Sequence, residues 1–457
     1  MIRTISIAFL LVICIALKAQ LPTIYLKGEF GYDYQEGEIT IVESNNSIKY
    51  KANIKWRGGS TNTSDKHKRN YKIKLSEDAS LLGLRSDNNW ILDAGQADVF
   101  RLRNRIATEL WNDMAHKPYY YDQEPNVLTG VRGKVVEVYL NDEYRGIYCL
   151  TEAMDRKELK LKKFDKKTGQ IHGGLWKSET WGNSLMYDVI PYDNSKETWG
   201  AFEVKYPDLD DLETTDYSTL SNAIAFVATS SDEDFSNHVH EYFDMPVVID
   251  YYIFLHILNA FDNTGKNIFW AVYDKEVDKK ITPAVWDLDG TVGQKWIEKW
   301  IENATSPELE VENNLNLYVR LKKLNVDSFN EKARERYYEL RENVLSTESL
   351  VNRYEYYYNL IKDCGAAERE ENKWSGDSDI DGRTLNFESE FNDIKNWIIA
   401  HMDFLDNTIF SVNTDIQNID NSPLYNHSMP IYDLQGKRLY STKRGINIIN
   451  GKKVMIK

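Results

Sequence analysis

Two short polar segments carry the side-chain types that phosphoryl transfer requires. Asp262 and Asn267 lie five positions apart in Asp262-Asn-Thr-Gly-Lys-Asn267, and Asp287 and Asp289 follow in Trp286-Asp-Leu-Asp289. The reaction needs one carboxylate to accept the proton of the attacking hydroxyl, and hard oxygen ligands for the Mg²⁺ that bridges the phosphates. The D-x-x-x-x-N spacing also occurs in ordinary turns, where such side chains hydrogen-bond the backbone. The second acidic segment is therefore what favours a catalytic interpretation over an ordinary turn.

The elements around these segments are predicted to place the polar side chains at their ends. Residues 247–258 form an apolar block long enough for a buried helix, which ends just before the first segment. Residues 268–273 and 281–286 are rich in aromatic and aliphatic side chains and flank a charged turn, which predicts two strands. Helix, loop, strand, turn, strand and acidic loop is also the order of elements in a protein-kinase catalytic and metal-binding region.

Composition and charge exclude several classes of protein. The chain has 457 residues, and its 42% hydrophobic content excludes wholesale disorder and provides for two or three domains or one large bilobal one. The net charge of −15 argues against a nucleic-acid-binding protein and against adhesion to anionic lipid. Outside the N-terminal segment only Cys149 and Cys364 remain, too few for a disulfide framework.

Residues 1–19 have the pattern of a secretory signal peptide. Arg3 precedes an apolar run over residues 5–17 that is too short to span a bilayer, and Ala19 is a suitable small residue before a cleavage site. We therefore expect an exported protein at the cell surface, in the periplasm or secreted, with no stable membrane span after cleavage. The alternative is an uncleaved N-terminal anchor.

Residues 24–152 are predicted to form a mainly antiparallel sheet with one packed helix, because apolar and polar residues alternate along most of this region. Helical spacing of apolar residues over residues 99–114 predicts the helix. In one strand, period-two geometry places Lys72 and Lys74 on the face opposite the apolar side chains. That face is either solvated or brings one of the lysines to a phosphate.

The chain from residue 200 to 410 is predicted to be mainly helical, because apolar residues recur there at intervals of three and four. Residues 364–384 are polar and rich in charge, and we expect an exposed loop there. Residues 411–428 are predicted to be a linker. Residues 429–457 are predicted to form a small β tail, which resembles a secretion-sorting module of exported Bacteroidetes proteins, or else an ordinary terminal hairpin.

Taken together, these segments resemble the spore coat protein H (CotH) kinase family, an atypical branch of the protein-kinase fold, across roughly residues 24–410. The resemblance implies an α+β bilobal fold with a β-rich N-lobe over residues 24–152 and a helical C-lobe over residues 153–410. It rests on the order and spacing of the two polar segments and five further motifs: Arg57-Gly-Gly-Ser60, Tyr71-Lys-Ile-Lys74, Leu102-Arg-Asn104, Val138-Tyr-Leu-Asn-Asp-Glu-Tyr-Arg-Gly-Ile-Tyr-Cys-Leu-Thr-Glu152 and Val204-Lys-Tyr-Pro207.

The resemblance also implies an activity and the residues that perform it. The expected activity is that of an exported atypical kinase, which transfers phosphate from ATP to a hydroxyl of a protein or another surface component. Asp262 would be the catalytic residue. Asn267 and Asp287 would bind Mg²⁺ or Mn²⁺, and Asp289 would be an additional carboxylate at the metal.

Nucleotide binding is implied for a second group of residues. Lys74, with Lys72 as its substitute, would contact the phosphates of ATP, and Arg57 and Glu152 would complete the cofactor-binding set. The chain has no Gly-x-Gly-x-x-Gly loop in its first hairpin. The nucleotide would therefore be held differently from the nucleotide of a typical kinase.

Two other interpretations remain open. The segment from Asp287 to Val292 also fits the D-x-D-G-T-V signature of haloacid-dehalogenase-like phosphatases, in which Asp287 would be the nucleophile and Asp289 the acid–base group. That fold requires a run of parallel βα units, whereas helical patterns dominate downstream. The third interpretation is a non-catalytic surface binding or structural protein on the kinase-like fold.

Overall fold

A closed barrel of seven strands forms the first part of the chain. The computed structural model describes residues 20–44, 46–295, 298–299, 304–305 and 314–411, and then residues 417–418, 431–433, 438–439, 444–449 and 452–456. The barrel strands are β1 (Thr23–Lys27), β2 (Gln35–Glu43), β3 (Asn46–Arg57), β4 (Asn70–Ser80), β5 (Ser86–Asp93), β6 (Gly133–Leu140) and β7 (Glu143–Glu152). Their order is β1-β2-β3-β4-β5-β7-β6, and a parallel β1–β6 pair closes the barrel.

Alternation of side chains explains the barrel core. Ile54 on β3 pairs with Ile73 on β4, and Ile73 pairs with Trp90 on β5. All three side chains are fully buried, because successive residues of a strand point to opposite faces and one face of each strand is apolar. The strand patterning was predicted correctly. The closure was not, because it depends on a long-range pairing such as Ile24 with Val138.

A second sheet of five strands carries the polar segments. Its strands are β8 (Gly174–Ser178), β9 (Thr198–Trp199), β10 (Phe202–Tyr206), β11 (Ile268–Val272) and β12 (Thr282–Val285). Their order is β12-β11-β8-β10-β9, and all neighbours are antiparallel. The two strands predicted beside the polar segments are confirmed as β11 and β12, and every residue of both is buried. A two-stranded ribbon, β13 (Gln294–Lys295) and β14 (Glu298–Lys299), follows.

Nine α-helices lie in the described residues, and they confirm a mixed α and β composition. They are α1 (Arg103–Met114), α2 (Ser218–Thr229), α3 (Asp232–Tyr242), α4 (Met245–Leu258), α5 (Asn316–Leu324), α6 (Phe329–Arg341), α7 (Thr347–Asp363), α8 (Ala366–Trp374) and α9 (Phe387–Asn407). α4 is apolar around most of its circumference and is almost entirely buried, as its sequence predicts. Trp111 of α1 packs edge-on against Phe254 of α4, with ring centroids 5.1 Å apart.

The prediction of an exposed loop over residues 364–384 is wrong for the first half of that segment, because helix α8 (Ala366–Trp374) occupies most of that half. Glu370 of α8 is fully buried. Its carboxylate accepts hydrogen bonds from Lys68 Nζ at 2.9 Å, from Arg101 Nε at 2.8 Å and from the backbone N–H of Ile147 at 2.7 Å. The buried face of α8 therefore contains a charged residue. For this reason the sequence of α8 does not show the apolar stripe that would predict a packed helix.

The chain divides into two compact units, up to Met402 and from Asp403 onward. In the second unit, β15 (Gln417–Asn418), β16 (Ile431–Tyr432), β17 (Arg438–Leu439), β18 (Gly445–Ile449) and β19 (Lys452–Ile456) form one sheet, in the order β15-β19-β18-β16-β17. The predicted signal peptide and most of the predicted linker lie outside the described residues. None of the helices in the described ranges combines the length and hydropathy needed to cross a bilayer.

Candidate functional site

The turn after α4 places Asp262 and Asn267 side by side. The chain leaves α4, passes through a short 3₁₀ turn over Asp262–Thr264 and enters β11. Asp262 Oδ2 accepts hydrogen bonds from Lys266 Nζ at 2.8 Å and from Asn267 Nδ2 at 3.3 Å. Asn267 is itself 2% exposed. The Asp262 carboxylate is thus held in a defined orientation by two neighbours on the same turn.

The loop after β12 holds Asp287 in an unusual backbone conformation. Its φ of 58° lies in the left-handed region, which residues other than glycine rarely adopt. Two hydrogen bonds fix this loop: Asn263 Nδ2 donates to the carbonyl oxygen of Trp286 at 2.8 Å, and the N–H of Leu288 donates to Asn104 Oδ1 at 3.0 Å. Such strain persists only where the surroundings determine the backbone, and it is concentrated at functional loops.

Asn104 links this loop to the barrel through α1. Its Oδ1 accepts from Leu288, and its Nδ2 donates to Asp93 Oδ2 at 2.7 Å. Asp93 is the last residue of β5. The motif Leu102-Arg-Asn104 therefore positions the Asp287 loop against the end of a barrel strand.

These segments line one cavity of about 470 Å³. Glycines 58 and 59, from the motif that follows β3, bring the backbone to its wall. Most of the other lining side chains are charged: the acidic ones are Asp93, Asp262, Asp287, Asp289 and Asp379, and the basic ones are Arg57, Lys66, Lys177 and Lys266. Three of the predicted site carboxylates and one predicted cofactor-binding residue, Arg57, thus meet at this cavity.

Burial and neighbouring charges raise the pKa values of two carboxyls in the cavity. Burial raises the pKa of Asp289 well above its usual range, and the negative charges of Asp287 and Asp93 add to the rise. Burial also raises the pKa of Asp287, although Lys177 and Arg57 oppose the shift. Solvent reaches the Asp287 side chain inside the cavity, but the dense protein around it still desolvates the carboxylate. A positive charge added to the cavity would stabilise the ionised form of both Asp287 and Asp289.

The donor set fits a divalent cation. Carboxylate oxygens are hard ligands of the kind that Mg²⁺ and Mn²⁺ prefer. A cation would also remove the repulsion between Asp287 and Asp289. In the described chain the carboxylates of Asp262, Asp287 and Asp289 do not all lie within 4.8 Å of one another. Oxygens from water or from a bound phosphate would therefore have to complete the coordination.

The two lysines predicted to bind phosphate lie elsewhere. Lys74 is exposed and Lys72 half-buried, both on the outer face of the barrel. Burial and the charges of Lys55 and Arg57 lower the pKa of Lys72. Neither lysine is among the described residues that line the cavity. The alternation that points Ile73 into the barrel core necessarily turns both lysines outward.

Glu152 also lies away from the cavity wall and has other partners. It is fully buried, and its Oε1 accepts hydrogen bonds from Arg132 Nη2 at 2.7 Å and from the N–H of Arg85 at 2.8 Å. Removing a donor from a buried carboxylate leaves an uncompensated charge, so such a group constrains the structure around it. The contacts of Glu152 indicate that role and do not place it near a nucleotide.

Several charged residues of the cavity were not predicted from the sequence, and two of them, Lys177 and Asp93, act on the site carboxylates. Lys177 lies on β8, opposite Phe269 of β11, and its Nζ is 3.0 Å from Glu179 Oε1. Asp93 lies at the end of β5, and its charge acts on Asp287 and Asp289. Strand pairing brings both residues to the cavity from distant parts of the chain. The only local signal was the strand-like pattern around each of them, which does not mark a site.

The cavity combines clustered carboxylates with lysine and arginine side chains. A site for a divalent cation and a phosphate-bearing ligand requires this combination. The sequence matches the family described as CotH kinase protein over residues 54–405. This match covers most of the chain, and the chain belongs to that family. Membership suggests a kinase-like function. No curated protein matches the sequence.

Proposed function

We propose that this protein is an atypical kinase that transfers phosphate from ATP to a hydroxyl of a protein or another surface component, with Mg²⁺ or Mn²⁺ as its cation. One observation supports this most directly. Asp262, whose carboxylate is oriented by two neighbours, faces the same cavity as Asp287 and Asp289. The proposed proton acceptor and the proposed metal-binding carboxylates thus line one cavity, in a family described as CotH kinase protein.

In this proposal Asp262 accepts the proton of the attacking hydroxyl. Lys266 and Asn267 donate to one of its oxygens, which leaves the other oxygen for the acceptor substrate. ATP supplies the phosphoryl group, and the divalent cation neutralises its phosphates. Asp287 and Asp289 would hold the cation, and Asn267 would orient Asp262 or contribute an amide oxygen to the cation.

Phosphate contacts are assigned to Arg57 and Lys177 in place of Lys74 and Lys72. Both side chains line the cavity, and both act electrostatically on Asp287. The guanidinium of Arg57 also lies 5.5 Å from the centre of the Trp286 ring, a contact that positions it beside the Asp287 loop. The barrel would then serve as a kinase-like N-lobe, and the second sheet with its helices as the C-lobe.

The phosphatase interpretation has less support. Asp287 follows a strand at the edge of an antiparallel sheet, and its neighbour β11 runs in the opposite direction. The haloacid-dehalogenase-like arrangement requires parallel βα units around that position. For the place of action we retain export, which the residue pattern of positions 1–19 supports.

Two substitutions test the proposal on the purified mature chain with labelled ATP and Mn²⁺ or Mg²⁺. Asp262→Asn should lower phosphate transfer, to the chain itself or to water, by about 10²–10⁴-fold, the usual scale for a general acid–base group. It should leave nucleotide binding in place. Asp287→Asn should weaken the cation-dependent binding of ATP itself.

Asp210→Asn is the matched control, since it removes one exposed carboxylate outside the cavity and should change neither quantity. Full transfer activity in the Asp262→Asn protein would overturn the proposal. Hydrolysis of phosphate esters that requires Asp287 but not Asp262 would favour the phosphatase instead. Absence of ATP binding and turnover in the wild-type chain would favour a non-catalytic binding protein.

A further inference from the structure

A second group of ligand-type side chains lies at the loop between α8 and α9. His67 Nδ1 is 2.9 Å from Asp377 Oδ2. Asp379 Oδ2 accepts hydrogen bonds from the backbone N–H groups of His67 at 3.0 Å and of Lys68 at 2.7 Å. One ring nitrogen of His67 and one oxygen from each aspartate all lie within 4.8 Å of one another. The loop after α8 is thus joined to the segment just before β4.

Asp379 shows that this group is incompletely satisfied. Asp379 is only 3% exposed. Its Oδ1 is buried and has no hydrogen-bond partner among the described residues. A buried carboxylate oxygen without a donor is costly, because it has lost water and gained nothing in return. A cation bound beside it would remove that cost.

The spacing of the three ligand atoms suits a bound metal ion. Metal–ligand distances of about 2.0–2.2 Å for Zn²⁺ place any two ligands of one ion no more than about 4.4 Å apart. The ligand atoms of His67, Asp377 and Asp379 already lie within 4.8 Å of one another, so small side-chain rotations would bring all three onto one ion. His67 is also accessible, with 56% of its side chain exposed. An ion could therefore reach the group from solvent.

The ligand types decide which ion is favoured. Imidazole nitrogen suits Zn²⁺ and related transition metals, whereas a site for Ca²⁺ is built from oxygen ligands alone. The sequence from Asp377 to Glu388 does follow the D-x-D-x-D-G-x5-E pattern of a calcium-binding loop. However, Asp381 and Glu388 are exposed, and neither belongs to the converging group. The geometry selects the histidine and two aspartates over the full loop pattern.

We propose that His67, Asp377 and Asp379 bind a divalent transition-metal cation, Zn²⁺ or Mn²⁺, at a site separate from the Asp262–Asp287 cation. This site would fasten the α8–α9 loop to the segment before β4. Asp379 and Lys66, the residue before His67, both line the candidate active-site cavity. The cation would therefore be structural, and it would fix one wall of the cavity where the phosphate-bearing substrate is held.

The test uses the full mature chain, stripped of metal and then titrated with Zn²⁺ and with Mn²⁺ in the presence of excess Mg²⁺, which occupies the oxygen ligands of the cavity. Wild-type protein should bind one equivalent that the double variant His67→Ala/Asp377→Asn does not bind. Each single variant should weaken binding at least about tenfold, because even the loss of a residue that only supports a metal ligand costs about that much. Asp381→Asn is the matched control and should bind like the wild type.

The second measurement is thermal unfolding with and without the metal. Zn²⁺ or Mn²⁺ should raise the melting temperature of the wild type and of Asp381→Asn, but not that of the double variant. Equal metal binding by the wild type and the double variant would overturn the proposal. So would Ca²⁺ binding that is lost in Asp381→Asn and kept in His67→Ala, since this would identify an oxygen-only calcium loop. Neither result depends on whether the Asp262 cavity catalyses phosphate transfer.

Discussion

Two groups of charged side chains in this molecule have opposite electrostatic arrangements. In the first, the carboxylate of Glu370 meets Lys68 at 2.9 Å and Arg101 at 2.8 Å, and all three side chains are 2% exposed or less. In the second, Asp287 and Asp289 line the same cavity. Desolvation by the surrounding protein raises the pKa of both carboxyls, and the negative charge of Asp287 adds to the rise at Asp289. The negative charge of Glu370 is balanced by cationic side chains at hydrogen-bond distance, whereas the charges of Asp287 and Asp289 have no such partners among the described contacts.

The difference separates a structural role from a ligand-binding role. Burial lowers the pKa of Lys68 to about 7, while the charge of Glu370 opposes the shift. These charges therefore depend on each other, and they join α8 to the barrel. Asp287 and Asp289 have no such arrangement of cations at hydrogen-bond distance among the described contacts. Carboxylates left in this state are typical of a site that completes its charge balance with a ligand.

The largest effect that would sharpen this comparison is expected at Glu370. Glu370→Ala would leave two buried cations without their carboxylate and should lower the free energy of unfolding by about 3–5 kcal/mol. Chemical denaturation followed by fluorescence or circular dichroism would measure it. Glu368→Ala, on the exposed side of the same helix, should change stability by no more than about 0.5 kcal/mol. Equal effects of both substitutions would show that the paired network is not what holds α8.

The second prediction concerns the cation of the cavity. With Mn²⁺ at 100 times its dissociation constant, the wild-type protein should gain about 2.7 kcal/mol of stability over the metal-free protein. Asp287→Asn should lose most of this gain, because it removes one of the proposed metal-binding groups. Thermal unfolding in a Mn²⁺ titration would measure both. The His67→Ala/Asp377→Asn background keeps the second proposed site out of the comparison. An undiminished gain in Asp287→Asn would break the contrast between the two groups.

Local patterns in the sequence predicted the chemistry-bearing turns but not their surroundings. The spacing of Asp262 and Asn267 is set within one turn, and the strand before Asp287 is visible as a short apolar run, so both were predictable. Lys177 and Asp93 reach the cavity through pairing between strands that are far apart in the chain, Lys177 opposite Phe269 and Asp93 opposite Cys149. Pairings of this kind leave no periodic signal in any single segment.

Two sequence-based predictions were limited by the same physical cause. Lys72 and Lys74 were correctly placed on one strand face, but the face became the outside of a barrel whose closure no local pattern reveals. Glu370 made α8 look like a polar loop, because its buried partners Lys68 and Arg101 come from other elements. In both cases a charged side chain depended on long-range packing. Its environment therefore could not be read from its neighbours.

The smallest effect is predicted for Asp289, and its sign is the most informative. Its pKa in the folded protein lies well above the unfolded value, so the folded state binds the proton more tightly. Stability is then lost as the pH rises from the unfolded pKa through the folded pKa, and the penalty persists at higher pH. Asp289→Asn cannot ionise and should raise the melting temperature of the metal-free protein near neutral pH, by about 2 °C. This advantage should vanish in acid below the unfolded pKa of the carboxyl.

Saturating Mn²⁺ should reverse the order, because the wild type then gains a charge partner that Asp289→Asn binds less well. Melting curves across pH, recorded with and without Mn²⁺, would show the reversal. A variant that is less stable than the wild type under all conditions would mean that the Asp289 carboxylate supports the fold as Glu370 does. A variant that is more stable without metal and less stable with it would mean that the molecule keeps an unfavourable pair of carboxylates in order to bind a cation.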